Sequence, residues 1–317
     1  MSVSPSSLVR QLIGRCIGQQ IKIPFLSKLF PGWHARFNHN DDAGIQYDLD
    51  QFQQVWIKSP VALERNRRTD SVFFARSVFP EAATEDLKIA VIWISWLYFW
   101  DDALDFNELD RTLDQISSYR EEILLCIQHS LLPGDQKEDV DPVHIAPNCP
   151  AAQAWYKIGV QIRRKVTAAS SQKFMHDCLR EYVTATIELQ MHCDNFEIMD
   201  IDSYLAIRMK TSGVYPTISM YLYRPQRFFP EITNANRTAK ASGHIDNIIP
   251  LLMHHYGLSA QGAVNEAVRI IKDSFAGFHC FEAEIIALGK EHDITREVSA
   301  FLKGCIDLCM GAIQWTC

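Results

Sequence analysis

No two cysteines in this sequence are spaced as C-x-x-C, although nine are present. They fall at Cys16, Cys126, Cys149, Cys178, Cys193, Cys280, Cys305, Cys309 and Cys317, an odd number at irregular intervals. This speaks against a zinc knuckle and against a disulfide framework, and fits free, buried thiols in a reducing compartment. No apolar run reaches the ~20 residues that cross a bilayer. The most apolar stretch, Ile89–Trp100, is bounded by Lys88 and Asp101 and reads as a buried helix, so no stable membrane insertion is expected. Arg10 and Arg15 interrupt the N-terminus before a secretory signal can form, and a cytoplasmic location is expected. Alternating strand patterns with Asn-Gly turns, internal repeats and low-complexity tracts are absent too. A positive surplus is also missing. Lys and Arg total 31 against 38 Asp and Glu, for a net charge of -7, which argues against nucleic acid as a partner.

What remains is a chain of 317 residues, 47% hydrophobic and 22% charged, able to bury a large core. Apolar residues recur at three- and four-residue intervals in Ala82–Asp105, Asp110–His129, Ala151–His192, Ile201–Tyr223 and Gln261–Leu288. Helix starts are expected at Thr84, with Glu85 and Asp86 in its first turn, and at Asp202. The segment Pro133–Pro150 reads as a loop between helices. The expected fold class is all-α, a single-domain bundle of roughly ten helices. Residues 1–46 are expected to be an irregular segment wrapping a helical domain at 47–317.

Chemistry concentrates first in Trp100-Asp101-Asp102-Ala103-Leu104-Asp105. Asp101 and Asp105 are four apart and share a helical face, while Asp102 lies about 100° around and is better placed to support than to ligate. Like charges so placed repel unless a cation sits between them, and hard dications such as Mg²⁺ take oxygen ligands of this kind. The plain alternative is a solvated helix end. Trp93, Trp96, Tyr98, Phe99 and Trp100 precede the carboxylates, and an aromatic-lined pocket beneath a charged rim would favour a cation. Core packing explains any single ring equally well.

The second constellation is Tyr204 to Pro216, which carries Arg208, Lys210, Thr211, Ser212 and Gly213. Gly213 and Pro216 predict a break within a longer helix. Arg208 offers a planar fork that matches phosphate oxygens. A break can also turn backbone dipoles toward a reacting centre.

These two segments, in this order, resemble the class I terpene synthases, specifically the fungal sesquiterpene cyclase type, from about Trp56 to Trp315. Phe73 to Ala82 is similar to the family's stretch ahead of its metal helix. The resemblance implies that Asp101, Asp102 and Asp105 are metal ligands and that Arg208 senses diphosphate. It also implies that the Gly213 carbonyl acts in ionisation, with Thr211 or Ser212 as the linker. Asp101, Arg208 and Gly213 would then be catalytic, with Arg208, Lys210, Phe74, Trp96, Trp100 and Trp315 binding substrate. The implied cofactor is Mg²⁺, three ions to a site, and the implied partner is a prenyl diphosphate. Two features of the family are not found. The second metal motif, N/D-D-x-x-S/T-x-x-x-E, is missing between the familiar Phe229–Ile232 and Ala241–Met253, where only Thr233–Lys240 intervene. The family's closing Arg-Tyr pair does not follow Gly311–Trp315 before the sequence stops at Cys317. A chain-elongating prenyltransferase would need a second aspartate-rich motif, and the sequence has none.

Overall fold

The computed structural model describes residues 5–40, 43–105, 113–134, 139–221 and 247–316. Among these there are no strands. Fourteen α-helices follow one another: α1 (Pro5–Cys16), α2 (Ala43–Trp56), α3 (Pro60–Arg68), α4 (Ser71–Val78), α5 (Thr84–Asp105), α6 (Leu113–Leu131), α7 (Pro142–Ile145), α8 (Pro150–Lys165), α9 (Ala169–Asp194), α10 (Ile201–Thr211), α11 (Val214–Tyr221), α12 (Ile248–His255), α13 (Ala260–Glu291) and α14 (Thr295–Thr316). The all-α expectation is borne out, with more helices than expected. The N-terminal segment read as irregular contains α1, and α2 begins at Ala43. The single piece expected over Ala151–His192 is two helices that break at 166–168, and the Pro133–Pro150 loop contains α7.

Local chemistry explains many of the boundaries. Ser59 caps α3 ahead of Pro60, and Asn247 and Ser259 cap α12 and α13 with their side-chain oxygens. Helix α5 does start at Thr84 with Glu85 and Asp86 in its first turn. The cap of α10 is Asp200 rather than Asp202, since the Asp200 carboxylate accepts from the Ser203 N–H at 2.9 Å.

The helices form a ring. Helix α5 packs on α9, α9 on α11, α11 on α14, α14 on α4, and α4 back on α5. Helix α8 backs α5, α6 packs on α8 and α9, and α2 and α3 cover α5. At the α4–α14 crossing the backbones nearly touch. A Cβ on Gly311 would stand 2.6 Å from the Ser77 carbonyl oxygen. A buried polar node ties α2, α3 and α5: Asn66 accepts from Gln53 (2.9 Å) and Ser95 (2.6 Å) and donates to the Ser95 carbonyl (2.8 Å).

Residues 30–40 strap the outside of the ring. Trp33 packs edge-on against Phe275 and Phe278 of α13 at 5.1 and 4.9 Å. Arg36 forks onto the buried Asp307 of α14, donating from Nε at 2.8 Å, and also reaches Glu81 at 2.6 Å. Burial pushes the Asp307 carboxyl up, and Arg36 opposes that shift. All described cysteines are free, and burial raises five of them (Cys126, Cys149, Cys178, Cys305 and Cys309) to about 12.

Two substitutions test this packing by urea unfolding. Gly311→Ala forces α4 and α14 apart and should cost ~1–3 kcal/mol. Arg36→Ala strands the Asp307 carboxylate and should cost about 3 kcal/mol, whereas the Arg36→Met/Asp307→Leu double change should cost much less.

Candidate active site

Helix α5 presents two faces. Trp93, Trp96 and Trp100 form one stripe at spacings of three and four, and each has at most 1% of its surface exposed. Trp96 meets Trp155 of α8 at 4.8 Å and donates to the Ala151 carbonyl at 2.8 Å. Trp100 stacks flat on Tyr119 of α6 at 5.0 Å and 3°. Both rings therefore point outward from the ring of helices, into the core. That corrects their assignment to a pocket or to substrate, because the stripe is rotated by about 100° from the one that carries Asp101.

The other face carries Leu97, Tyr98 and Asp101. Asp101 is half-buried and, among the described residues, makes no ion pair or side-chain hydrogen bond. Helix α5 continues through Asp105, so the backbone places Asp105 on the Asp101 face, but its side chain lies outside the described residues. Asp102 faces Arg65 of α3 at 3.6 Å, both largely buried, which suits it to a supporting role. Burial, then Asp101 and Asp102, push the Tyr98 hydroxyl up, so it stays neutral. Burial, then Asp101 and Tyr98, push up the Tyr182 hydroxyl of α9, while Arg208 pulls the other way. One buried phenol thus stands within the fields of both Asp101 and Arg208, which are 107 positions apart in sequence.

Three rings add an aromatic wall. Trp315 of α14 lies 4.7 Å from Phe74 of α4 and 5.7 Å from Tyr98 of α5. Its indole N–H donates to the Thr69 carbonyl at 2.6 Å, which fixes its orientation. All three are half-buried, so each keeps some accessible face. Phe74 and Trp315 were in the sequence expectation. Tyr98 was named there only as one ring among five, and Tyr182 was not named. An i, i+3 offset from Asp101 singles out Tyr98 in the sequence, whereas nothing local singles out Tyr182.

The expected break is present between α10 and α11. Gly213 sits at φ +72°, and Leu97 of α5 would lie 3.8 Å from a Cβ there. Its carbonyl accepts from both the Thr217 N–H (3.0 Å) and the Thr217 hydroxyl (2.6 Å). That carbonyl is therefore engaged, in contrast to the role expected for it. The Ser212 carbonyl has no helical partner, because Pro216 four residues on lacks an N–H. Thr211 is buried, and among the described residues its hydroxyl has no hydrogen-bond partner. It shares a helix face with Arg208, three residues earlier. Lys210 stands on the exposed side of α10 and pairs with Glu181 at 3.2 Å, turned away from this face.

Among the described residues, the donors at the end of α5 are the carboxylates of Asp101 and Asp102, which suit a hard dication rather than a thiol-seeking metal. The stretch in which the second metal motif was sought, with Phe229–Ile232, Thr233–Lys240, His244 and Asp246, lies outside the described residues. His254 and His255 are packed against each other at the end of α12, where His255 meets the Met199 carbonyl at 2.8 Å. Asp194 accepts from Gln190 at 2.9 Å.

A family model described as terpene synthase family 2, C-terminal metal binding, matches residues 92–233, which contain both segments. The germacrene A synthase of Nostoc punctiforme is 20% identical across 90% of this chain and 93% of its own. The terpene cyclase braA of Annulohypoxylon truncatum is 22% identical across 99% of this chain and 88% of its own. Among solved structures, the linalool/nerolidol synthase from Streptomyces clavuligerus in complex with 2-fluorogeranyl diphosphate superposes with a TM-score of 0.68 at 14% identity, covering 88% of this chain and 99% of that one.

The unpaired Thr211 hydroxyl gives a test. Thr211→Val keeps the shape and removes a stranded polar atom. It should leave stability unchanged or raise it by up to ~1 kcal/mol in urea unfolding, while any activity that uses the hydroxyl falls.

Proposed function

We propose that this chain, which belongs to the class I terpene synthases of the fungal sesquiterpene cyclase type, ionises and cyclises farnesyl diphosphate with Mg²⁺ held at the end of α5. The observation that carries this reading is the half-buried Asp101 carboxylate at the end of α5, which makes no ion pair among the described residues and acts, as Arg208 of α10 does, on the buried Tyr182 of α9. An unpaired carboxylate and a guanidinium near one phenol are the two halves of a diphosphate clamp. The first takes the metal and the second takes phosphate oxygens.

Asp101 and Asp105 would be the direct metal ligands, with Asp102 held in place by Arg65. Mg²⁺, when bound, supplies positive charge that stabilises the leaving diphosphate. Arg208 binds the same oxygens from α10 through its planar fork. The Ser212 carbonyl, whose i+4 donor is missing at Pro216, offers a dipole at the break, and the Thr211 hydroxyl offers a hydrogen bond on the Arg208 face. Phe74, Tyr98 and Trp315 line the apolar side. Their ring faces attract positive charge by ~0.5–2 kcal/mol each when desolvated. Their packing keeps water from a cation that it would quench. The prenyl diphosphate analogue bound to the Streptomyces synthase supports the substrate class.

A second reading is favoured by one observation. The sequence contains no N/D-D-x-x-S/T-x-x-x-E. A chain that lacks this ligand set would hold the diphosphate and turn it over slowly or not at all.

The deciding experiment incubates the purified chain with farnesyl diphosphate and Mg²⁺ and analyses the extract by gas chromatography–mass spectrometry. A cyclic hydrocarbon or alcohol is expected. Asp101→Ala, Arg208→Ala and EDTA should each reduce it by about a hundredfold or more. No product from folded protein, together with Mg²⁺-dependent binding of diphosphate in calorimetry, would select the second reading.

A further inference from the structure

The first forty residues hold Arg10, Arg15, Lys22, Lys28 and Arg36 and no Asp or Glu, in a chain whose net charge is -7. Arg36 is used inside the fold by Asp307 and Glu81. The other four are exposed, and among the described residues none forms an ion pair. The same segment carries much of the exposed apolar surface of the chain. Ile17 is 74% exposed, Ile23 62%, Phe25 74% and Ile21 41%. Isolated exposed aliphatics are ordinary, but four within nine residues, interleaved with cations, are not.

The local structure explains why these side chains face outward. Helix α1 ends at Cys16 and the chain turns at Gly18, with φ +76°. It then runs without regular secondary structure to Phe25. The Gln261 side chain at the start of α13 grips the Lys22 backbone, accepting from its N–H at 2.7 Å and donating to its carbonyl at 3.2 Å. With the backbone pinned at Lys22, the Ile21 and Ile23 side chains on either side of it stay exposed. Lys28 lies over the Phe25 ring at 5.2 Å, which places a cation beside the most exposed aromatic. On α13, Glu266 and Asp273 are both taken by Arg269. Toward α12, burial, His255 and Arg15 together lower the His254 pKa, which puts Arg15 beside an imidazole pair rather than a carboxylate.

We infer that Arg10 to Lys28 is a docking surface for an anionic lipid membrane, with Ile17, Ile21, Ile23 and Phe25 entering the acyl boundary and Arg10, Arg15, Lys22 and Lys28 meeting the headgroups. The occupant follows from charge and chemistry together. Nucleic acid would match the cations and leave four apolar side chains in water. A second copy of this acidic chain would meet the cations, and light scattering separates that case below. A bilayer of anionic lipid satisfies both, because apolar burial and basic residues act additively at that surface. The chain would lie on the membrane rather than cross it, and among the described residues no helix is long and apolar enough to cross. This inference stands apart from the catalytic reading.

The test is co-sedimentation of the purified full chain with vesicles of phosphatidylcholine alone or containing about a third phosphatidylserine. Binding should be at least tenfold stronger on the anionic vesicles and should weaken in ~0.5 M salt, where the Debye length is short. Arg10→Ala and Arg15→Ala should each weaken it by about fivefold. Ile23→Ser/Phe25→Ser, which leaves the charge unchanged, should weaken it by tenfold or more, with circular dichroism and thermal midpoint unchanged because both positions are exposed. No sedimentation with anionic vesicles would overturn the inference. So would binding that is indifferent to this neutral pair, which is charge attraction alone. A dimer in light scattering that the same pair dissolves would assign the face to a second copy instead.

Discussion

Three indoles anchor the molecule. Trp93, Trp96 and Trp100 are locked between α5 and the helices outside it, Trp96 by a ring contact and a hydrogen bond to α8 and Trp100 by a flat stack on α6. A helix so held cannot rotate about its axis. The direction of every other α5 side chain is fixed as a result, and Leu97, Tyr98 and Asp101 face the ring interior. Buried aromatic area is the largest single source of core stabilisation, and here it also sets the azimuth of a carboxylate. The indole N–H of Trp100 is left without a partner in the core, a local cost accepted at the helix that aims Asp101.

The opposite wall is built on a different principle. Helix α10 is interrupted where Gly213 takes a left-handed conformation that side-chain-bearing residues adopt at a cost of ~1–2 kcal/mol. Pro216 then removes one backbone donor. The Ser212 carbonyl thereby loses its i+4 donor, while the Thr217 hydroxyl and N–H both donate to the Gly213 carbonyl. One wall is therefore rigid through packing and the other is interrupted. Arg208 sits one turn before that interruption.

Much of this was legible in the sequence, and the rest was hidden for definite reasons. The period of apolar residues gave the all-α class. The composition of the Asp101 and Arg208 segments gave the two sides of the site. The break at Gly213 could be read from glycine and proline alone. The ring was not legible, because its contacts join α4 to α14 and α5 to α9, and no local pattern reports them. For the same reason Tyr182 passed unnoticed and Trp96 and Trp100 were assigned to the wrong face. Spacing tells which residues share a stripe but not which stripe meets the pocket. Lys210 misled through its proximity to Arg208: two residues along a helix is more than half a turn, and the charge faces Glu181 instead. Short helices such as α3 and α7 escaped because their boundaries rest on caps rather than on periodicity.

The closure of the ring also has a temporal side. The α4–α14 crossing unites residues more than 230 positions apart, with Gly311 against Ser77 at near backbone contact. Contacts of such separation form late, since the loop between them must close first. Helices α5, α6, α8 and α9 can associate as they leave the ribosome, but the seam waits for α14 to be made. During that interval the inner faces of α4 and α5, including Phe74 and Tyr98, stay open to solvent. The aromatic wall is thus among the last surfaces to be completed in synthesis, and the nascent chain depends longest on whatever shields it there.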